Sequence, residues 1–265
     1  MKHYDIIFSD IDGTFLNSDH QVTEKTKREV QRVTALGIPF VLSSSRMPEA
    51  ILPVQHMAGI KQPMIAYGGS LILAENGDVL YSEGLETDKA YQVGQFVEKE
   101  FGEVSWNIYS SHKWLCAAPK SVYVIKEEEI TGAKSTEGTL EEIHSWELIH
   151  KILCIGEPEM ISDLETALKE NFTDLLIAKS APTYLEITSS HINKGEAMEI
   201  FCKKKGISIE NTLVFGDNYN DLDMFQRAGT SYVMANAPEE IKQKAENLTE
   251  DHNNDGIASI LSKLF

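Results

Sequence analysis

The sequence predicts an α/β fold: a Rossmann-like parallel-sheet core interrupted by an inserted α+β domain. Three observations carry this reading. Short apolar runs at Tyr4–Phe8, Pro39–Leu42, Met64–Tyr67 and Thr212–Phe215 have the composition of strands buried on both faces, as in a parallel sheet. Helical spacing lies between them, and the alternation implies right-handed crossovers. Between about residues 83 and 188 this alternation gives way to grouped strands and helices, and it resumes at Lys194.

The first run leads into Ser9-Asp10-Ile11-Asp12-Gly13-Thr14. Side chains alternate along an extended chain, so Asp10 and Asp12 share a face while Ile11 can turn inward. Both leave the carboxyl end of the strand, where open α/β sheets bind ligands. Two adjacent carboxylates repel unless a cation or a shared proton relieves them, and a hard divalent ion such as Mg²⁺ is the simplest relief. Taken alone, such a pair also fits an ordinary surface turn.

A helix follows, marked by Val30, Val33 and Leu36 with Gly37 as its stop. The second strand ends in Ser43-Ser44-Ser45-Arg46, whose hydroxyls and turn amides suit a phosphate. A segment around Ile51–Met57 precedes the third strand. Asn76-Gly77, set between Leu71-Ile72-Leu73 and Val79-Leu80-Tyr81, signals a hairpin.

Within the insert, a helix is expected near Tyr91–Phe101. β-rich pieces are expected around Trp106–Tyr109 and Val122–Ile125, with a strand over Leu148–Ile155. A helix around Met160–Glu170 and strands at Leu175–Ala178 and Tyr184–Ile187 complete it. The expected organisation is therefore a core of residues 1–83 plus 188–265 and an α+β cap of residues 84–187 packed over the site. Past the insert, Asn193 and Lys194 open a helix whose free amides and ammonium can face an anion. That helix ends in Lys203-Lys204-Lys205-Gly206, read as a solvated last turn. The strand Thr212–Phe215 then runs into Gly216-Asp217-Asn218-Tyr219-Asn220-Asp221. Acid, hydroxyl and acid groups at three strand ends are hard to explain as solvated turns.

In these motifs the chain resembles the haloacid dehalogenase (HAD) superfamily, in its Cof-type phosphatase branch with a C2-type cap. The D-x-D-G-T motif is Asp10-Ile11-Asp12-Gly13-Thr14, Ser44-Ser45-Arg46 stands for Thr-Gly-Arg, Lys194 supplies the lysine, and Gly216–Asp221 is the G-D-x-x-N-D motif. Asn236-Ala237-Pro238-Glu239 and Asp255-Gly256-Ile257-Ala258 resemble the tail of that branch. Two departures stand out: Ser45 replaces glycine, and Gly68-Gly69-Ser70 replaces Asn-Gly-Ala.

The resemblance implies Mg²⁺-dependent hydrolysis of small phosphomonoesters, such as sugar, flavin or pyridoxal phosphates, through an aspartyl-phosphate. Asp10 is then the nucleophile and Asp12 the general acid–base. Asp10, the Asp12 carbonyl, Asp217 and Asp221 hold the metal, the last directly or through a water. Ser44, the Ser45 amide, Lys194 and Asn220 bind the phosphate. Plainer readings stay beside these: Lys194 as an exposed lysine, Ser44 as a helix cap, Asp221 as the N-cap of the next helix, and Arg46 as either a leaving-group contact or a structural ion pair. A phosphomutase or phosphotransferase shares the same motifs. A degenerate phosphate-binding regulator is disfavoured by the retained acids and lysine. Specificity is expected from the cap, with His112, Trp114, Tyr123 and Tyr184 as candidates that the sequence does not rank.

Composition bounds the partners. At 265 residues and 42% hydrophobic the chain can bury a sizeable core, and a net charge of -17 disfavours nucleic acid and anionic membranes. The expected partner is a small phosphorylated metabolite, with no obligate protein partner implied. Cys116, Cys154 and Cys202 are scattered and read as reduced core thiols. With no signal-peptide pattern before the first strand and no membrane-length apolar run, a cytoplasmic location is expected.

Overall fold

The computed structural model describes residues 3–118 and 120–265. The chain begins with β1 (Ile6–Ser9), α1 (Glu24–Ala35), β2 (Phe40–Ser43), α2 (Pro48–Ala58), β3 (Met64–Ala66) and the hairpin β4 (Leu71–Leu73) and β5 (Val79–Ser82). Then come α3 (Thr87–Glu100), β6 (Ser105–Ser110), β7 (Lys113–Cys116), α4 (Val122–Thr131), β8 (Thr136–Glu137), β9 (Lys151–Ile155), α5 (Pro158–Asn171), β10 (Leu175–Ala181) and β11 (Tyr184–Ser189). The last third contains α6 (Lys194–Lys205), β12 (Thr212–Gly216), α7 (Leu222–Arg227), β13 (Thr230–Met234), α8 (Glu239–Lys242), β14 (Leu248–Thr249) and α9 (Gly256–Leu264).

The chain divides into two compact units, one made of the chain up to Ser82 with Ile192–Phe265, the other of Glu83–His191. In the first, one sheet has the order β14-β13-β12-β1-β2-β3-β4-β5. Its strands are parallel through β3, and β4 and β5 are antiparallel. The core strands are apolar at nearly every position because helices cover them; Ile6, Phe8, Val41 and Val214 pack with Met198, Phe201 and Met224 of α6 and α7. In α1, Thr23 caps the start by accepting from the Thr26 amide, and Val30 and Val33 are buried. Leu36, expected in the same stripe, is exposed at the C-cap.

From β1 the chain crosses to β2 on one side, and β12 pairs on the other. The order therefore reverses at β1, the position where open sheets form a crevice at their carboxyl ends. The pairings of Ser9 with Phe215 and with Leu42 set Asp10 level with Gly216 and Ser43.

The second unit has a six-stranded sheet, β10-β11-β9-β6-β7-β8, antiparallel except for the β7–β8 pair. Ala90, Val93 and Val97 of α3 and Ile161, Leu164 and Leu168 of α5 form one core with Trp106, Ile108, Ile152 and Leu185.

Two expectations need correction here. Val122–Ile125 is helix, not strand. Its β-branched residues suggest a strand, but Ser121 accepts from the Tyr123 amide, Lys126–Glu129 are good helix formers, and left-handed Gly132 closes the end. The strand expected over Leu148–Ile155 begins only at Lys151, after an isolated bridge between Leu85 and Ile149. All three cysteines are buried and free. Among the described residues, no helix is long and apolar enough to cross a membrane.

Candidate active site

The site is built on the carboxyl ends of β1 and β12 and the first residue of α6. Asp10, Asp217 and Asp221 each offer a carboxylate oxygen, and these atoms lie within 4.8 Å of one another. Lys194 is buried among them, with Nζ donating to Asp10 Oδ1 at 2.5 Å and to Asp221 Oδ1 at 2.7 Å. Its place is fixed from behind by Asn193, whose side chain caps α6 by accepting from the Glu196 amide at 2.9 Å. Lys194 is therefore not an exposed lysine.

Asp221 is the most heavily engaged of the three acids. Besides Lys194, it accepts at Oδ2 from the amides of Asp217 at 3.0 Å and Asn218 at 3.1 Å. These bonds close the turn at Tyr219–Asp221, where Asn218 and Asp221 cap one another reciprocally, and Asp221 makes no side-chain cap to α7. Asp217 is held by two further side chains: Thr14 donates to Oδ1 at 2.7 Å and Asn236 Nδ2 to Oδ2 at 3.3 Å. The same Asn236 group reaches Gly13 O at 2.8 Å. Gly13 has φ +78°, and a Cβ there would stand 2.5 Å from Asp217 Oδ2. The turn therefore needs glycine on two counts, backbone conformation and space.

The electrostatics follow from this crowding. Burial drives the Asp10 carboxyl well above the usual range; Lys194 pulls it back, while Asp221, Asp217 and Asp12 add to the rise. Burial also raises Asp217, to about 6, against the Thr14 hydrogen bond and with help from Asp221. For Lys194, burial opposes the cation, but Asp10 and Asp221 outweigh it and hold the pKa above the usual lysine value. Three carboxylates facing one ammonium leave the cluster short of positive charge. The donors are hard oxygens, the kind Mg²⁺ takes, and a divalent cation would balance the deficit. The residues fit such an ion.

Asp12 stands apart, its side chain half exposed and engaged by Arg46. Ser44 is buried; its Oγ accepts from the Arg46 amide at 3.2 Å, and it does not cap α2, whose N-cap is Met47 with no side-chain cap. Ser45 is half buried and has no positive φ, so serine fits at this position of the resembled Thr-Gly-Arg motif. Gly68, at φ +66°, lies in the left-handed region that glycine and asparagine share, which accounts for that departure. Asn220 is exposed and makes no hydrogen bond to the acidic cluster among the described residues. Of the residues proposed for specificity, Trp114 is buried, stacked on Tyr109 at 5.3 Å and bonded to Asn107, and Tyr123 bonds Glu157. Both have structural work within their own unit.

Arg46, read from sequence as either a leaving-group contact or a structural ion pair, forms an ion pair with Asp12; the sequence reading assigned no role to Thr14 or Asn236. Thr14 and Asn236 lie inside motifs it had quoted, but their target, Asp217, is distant in the chain and gave no local signal.

Comparison with known proteins agrees with this geometry. Residues 7–261 match the family described as haloacid dehalogenase-like hydrolase. A Haemophilus influenzae relative carrying a provisional phosphatase name is 35% identical over 99% of this chain and 98% of its own. Bacillus subtilis phosphatase YwpJ is 27% identical over 98% and 99%. A Thermotoga maritima crystal structure, 28% identical, superposes with a TM-score of 0.89 over 99% of this chain and 98% of that one. The chain belongs to the haloacid dehalogenase-like hydrolases, in the Cof-type branch, and is a phosphatase of that family.

Proposed function

We propose that this enzyme hydrolyses small-molecule phosphomonoesters, sugar phosphates or compounds of similar size, through an aspartyl-phosphate on Asp10 with Mg²⁺ as cofactor. The observation that carries the reading is the buried lysine set between Asp10 and Asp221 beside Asp217. Asp10 Oδ1 is tied to Lys194, and Oδ2 accepts no hydrogen bond among the described residues, so Oδ2 is the oxygen positioned to attack.

In the first half-reaction Asp10 Oδ2 bonds to phosphorus as the ester P–O bond breaks, and Asp12 gives its proton to the departing oxygen. Ser44, whose Oγ already accepts from the Arg46 amide, keeps its proton for a phosphoryl oxygen, with the Ser45 amide as a second donor. Lys194 offsets the charge that two anions bring together. In the second half the Asp12 carboxylate takes a proton from water as that water attacks phosphorus. Inorganic phosphate leaves and Asp10 is restored. Mg²⁺ supplies the charge neutralisation that lets a carboxylate approach a phosphate dianion. Asp10, Asp217 and the Asp12 carbonyl would hold it. Asp221, its oxygens already taken by Lys194 and two amides, suits a contact through water. Asn220 is a softer phosphate contact, from an exposed turn.

Among the superposed structures is a HAD subclass IIB sugar phosphatase, with a TM-score of 0.81 and 20% identity. Core residues 1–83 and 188–265 would carry the chemistry and residues 84–187 the selectivity. A net charge of -17 supports a small free metabolite, rather than a polyanion or an anionic membrane surface, as the substrate. A panel of phosphate esters assayed with and without Mg²⁺, on the wild type and Asp10→Asn, tests the reading. Turnover should require the metal and vanish in the variant. Steady hydrolysis by Asp10→Asn would overturn the nucleophile assignment.

A further inference from the structure

Arg46 grips Asp12 at two points, Nη2 to Oδ1 at 2.6 Å and Nε to Oδ2 at 2.9 Å. The arginine side chain is only 11% exposed, whereas the Asp12 side chain is 50% exposed. An exposed carboxylate on a turn samples several rotamers, and a planar fork bound to both oxygens selects one. Arg46 is itself well anchored. Its amide donates to Ser44 Oγ at 3.2 Å, its carbonyl accepts from Tyr67 N at 3.0 Å, and Nη1 reaches Ala50 O at 3.5 Å. One residue thus fixes the phosphate-loop hydroxyl through its backbone and the Asp12 carboxylate through its side chain.

We propose that Arg46 is a positioning residue, holding the Asp12 carboxyl group in the orientation from which it exchanges protons with the leaving oxygen and the attacking water. The proposal rests on the reading of Asp12 as the acid–base given above. Each Asp12 oxygen keeps a second lone pair while Arg46 holds the first, so the grip leaves room for the transferred proton. The P–O bond breaks as the proton passes from Asp12 to the ester oxygen. The later P–O bond forms as the proton passes from water back to Asp12. Arg46 touches neither substrate nor phosphoryl group in this account.

A double-mutant cycle of R46A and D12N, assayed on 4-nitrophenyl phosphate and on an alkyl phosphate, tests it. General acid–base help is worth on the order of a hundred- to ten-thousand-fold, and misplacement of such a group by about 1 Å costs roughly a hundredfold. R46A should therefore lower kcat on the alkyl ester by roughly ten- to a hundredfold with little change in KM, and less on the nitrophenyl ester, whose leaving group needs no proton. In the D12N background R46A should add almost nothing. Guanidine should restore R46A but not the double variant, and R46K, which lacks the fork, should stay impaired. R46K carries the same cycle should R46A fail to fold. An equal loss from R46A in both backgrounds, or a rise in KM at unchanged kcat, would overturn the proposal. Wild-type turnover in D12N would instead overturn the acid–base reading of Asp12, and this proposal with it.

Discussion

The Thr14 hydroxyl donates to Asp217 Oδ1 at 2.7 Å and so ties the turn after β1 to the end of β12. It is one of two side chains that orient this carboxylate, and neighbours that orient a metal ligand are typically worth ten- to a hundredfold in affinity. Thr14→Val keeps the shape and removes the donor. It should raise the Mg²⁺ concentration for half-maximal activity by about tenfold while leaving turnover at saturating metal nearly intact. A metal titration of activity reads this directly.

Lys194→Met removes the cation placed among three buried acids. Breaking a buried pair from one side costs about 3–5 kcal/mol when the partner stays charged. Here the acids can take up protons, so the loss in Tm should be large at pH 8 and shrink toward pH 5. Turnover should be lost at both.

Asp217 also makes the metal-free fold sensitive to pH. Its pKa is about 6 when folded, against 3.8 for a free carboxyl, so the folded chain binds the extra proton between those values. Stability from this group is therefore complete below about pH 4 and is lost as pH rises through 6, by about 3 kcal/mol at most. Burial works in the opposite direction at His150, which is lowered to about 4. The clean measurement is the Tm difference between wild type and Asp217→Asn without metal. Asp217→Asn should gain on the wild type as pH rises from 4 to 7, and saturating Mg²⁺ should erase the gain.

Ser70 is buried, and its Oγ has no hydrogen-bond partner among the described residues. A buried hydroxyl without a partner costs about 1–3 kcal/mol. Ser70→Ala should raise the midpoint of urea unfolding without altering the denaturant slope or kcat.

What could be read from the sequence was what lies close together along the chain. Asp10 and Asp12 share one turn, and Gly216–Asp221 carries its own strand, turn and acids, so each announced itself locally. The contacts that join these pieces did not. Arg46 meets Asp12 across 34 positions and Thr14 meets Asp217 across 203, and no periodicity records such a meeting. The segment at Val122 failed for a different reason. Three β-branched residues outweighed the weaker evidence of the Ser121 cap and the Gly132 stop, and only the backbone shows that the caps prevailed.

Because β12 lies against β1 while more than half the chain intervenes, a nascent polypeptide on the ribosome carries Asp10 long before Asp217 and Asp221 exist to meet it. Residues 83–191 emerge in one stretch and can settle early through short-range contacts, whereas β1 must wait for β12 to be translated. The cluster of Asp10, Asp217 and Asp221 therefore closes late in synthesis, and a chain that stalls before Asp221 never assembles it.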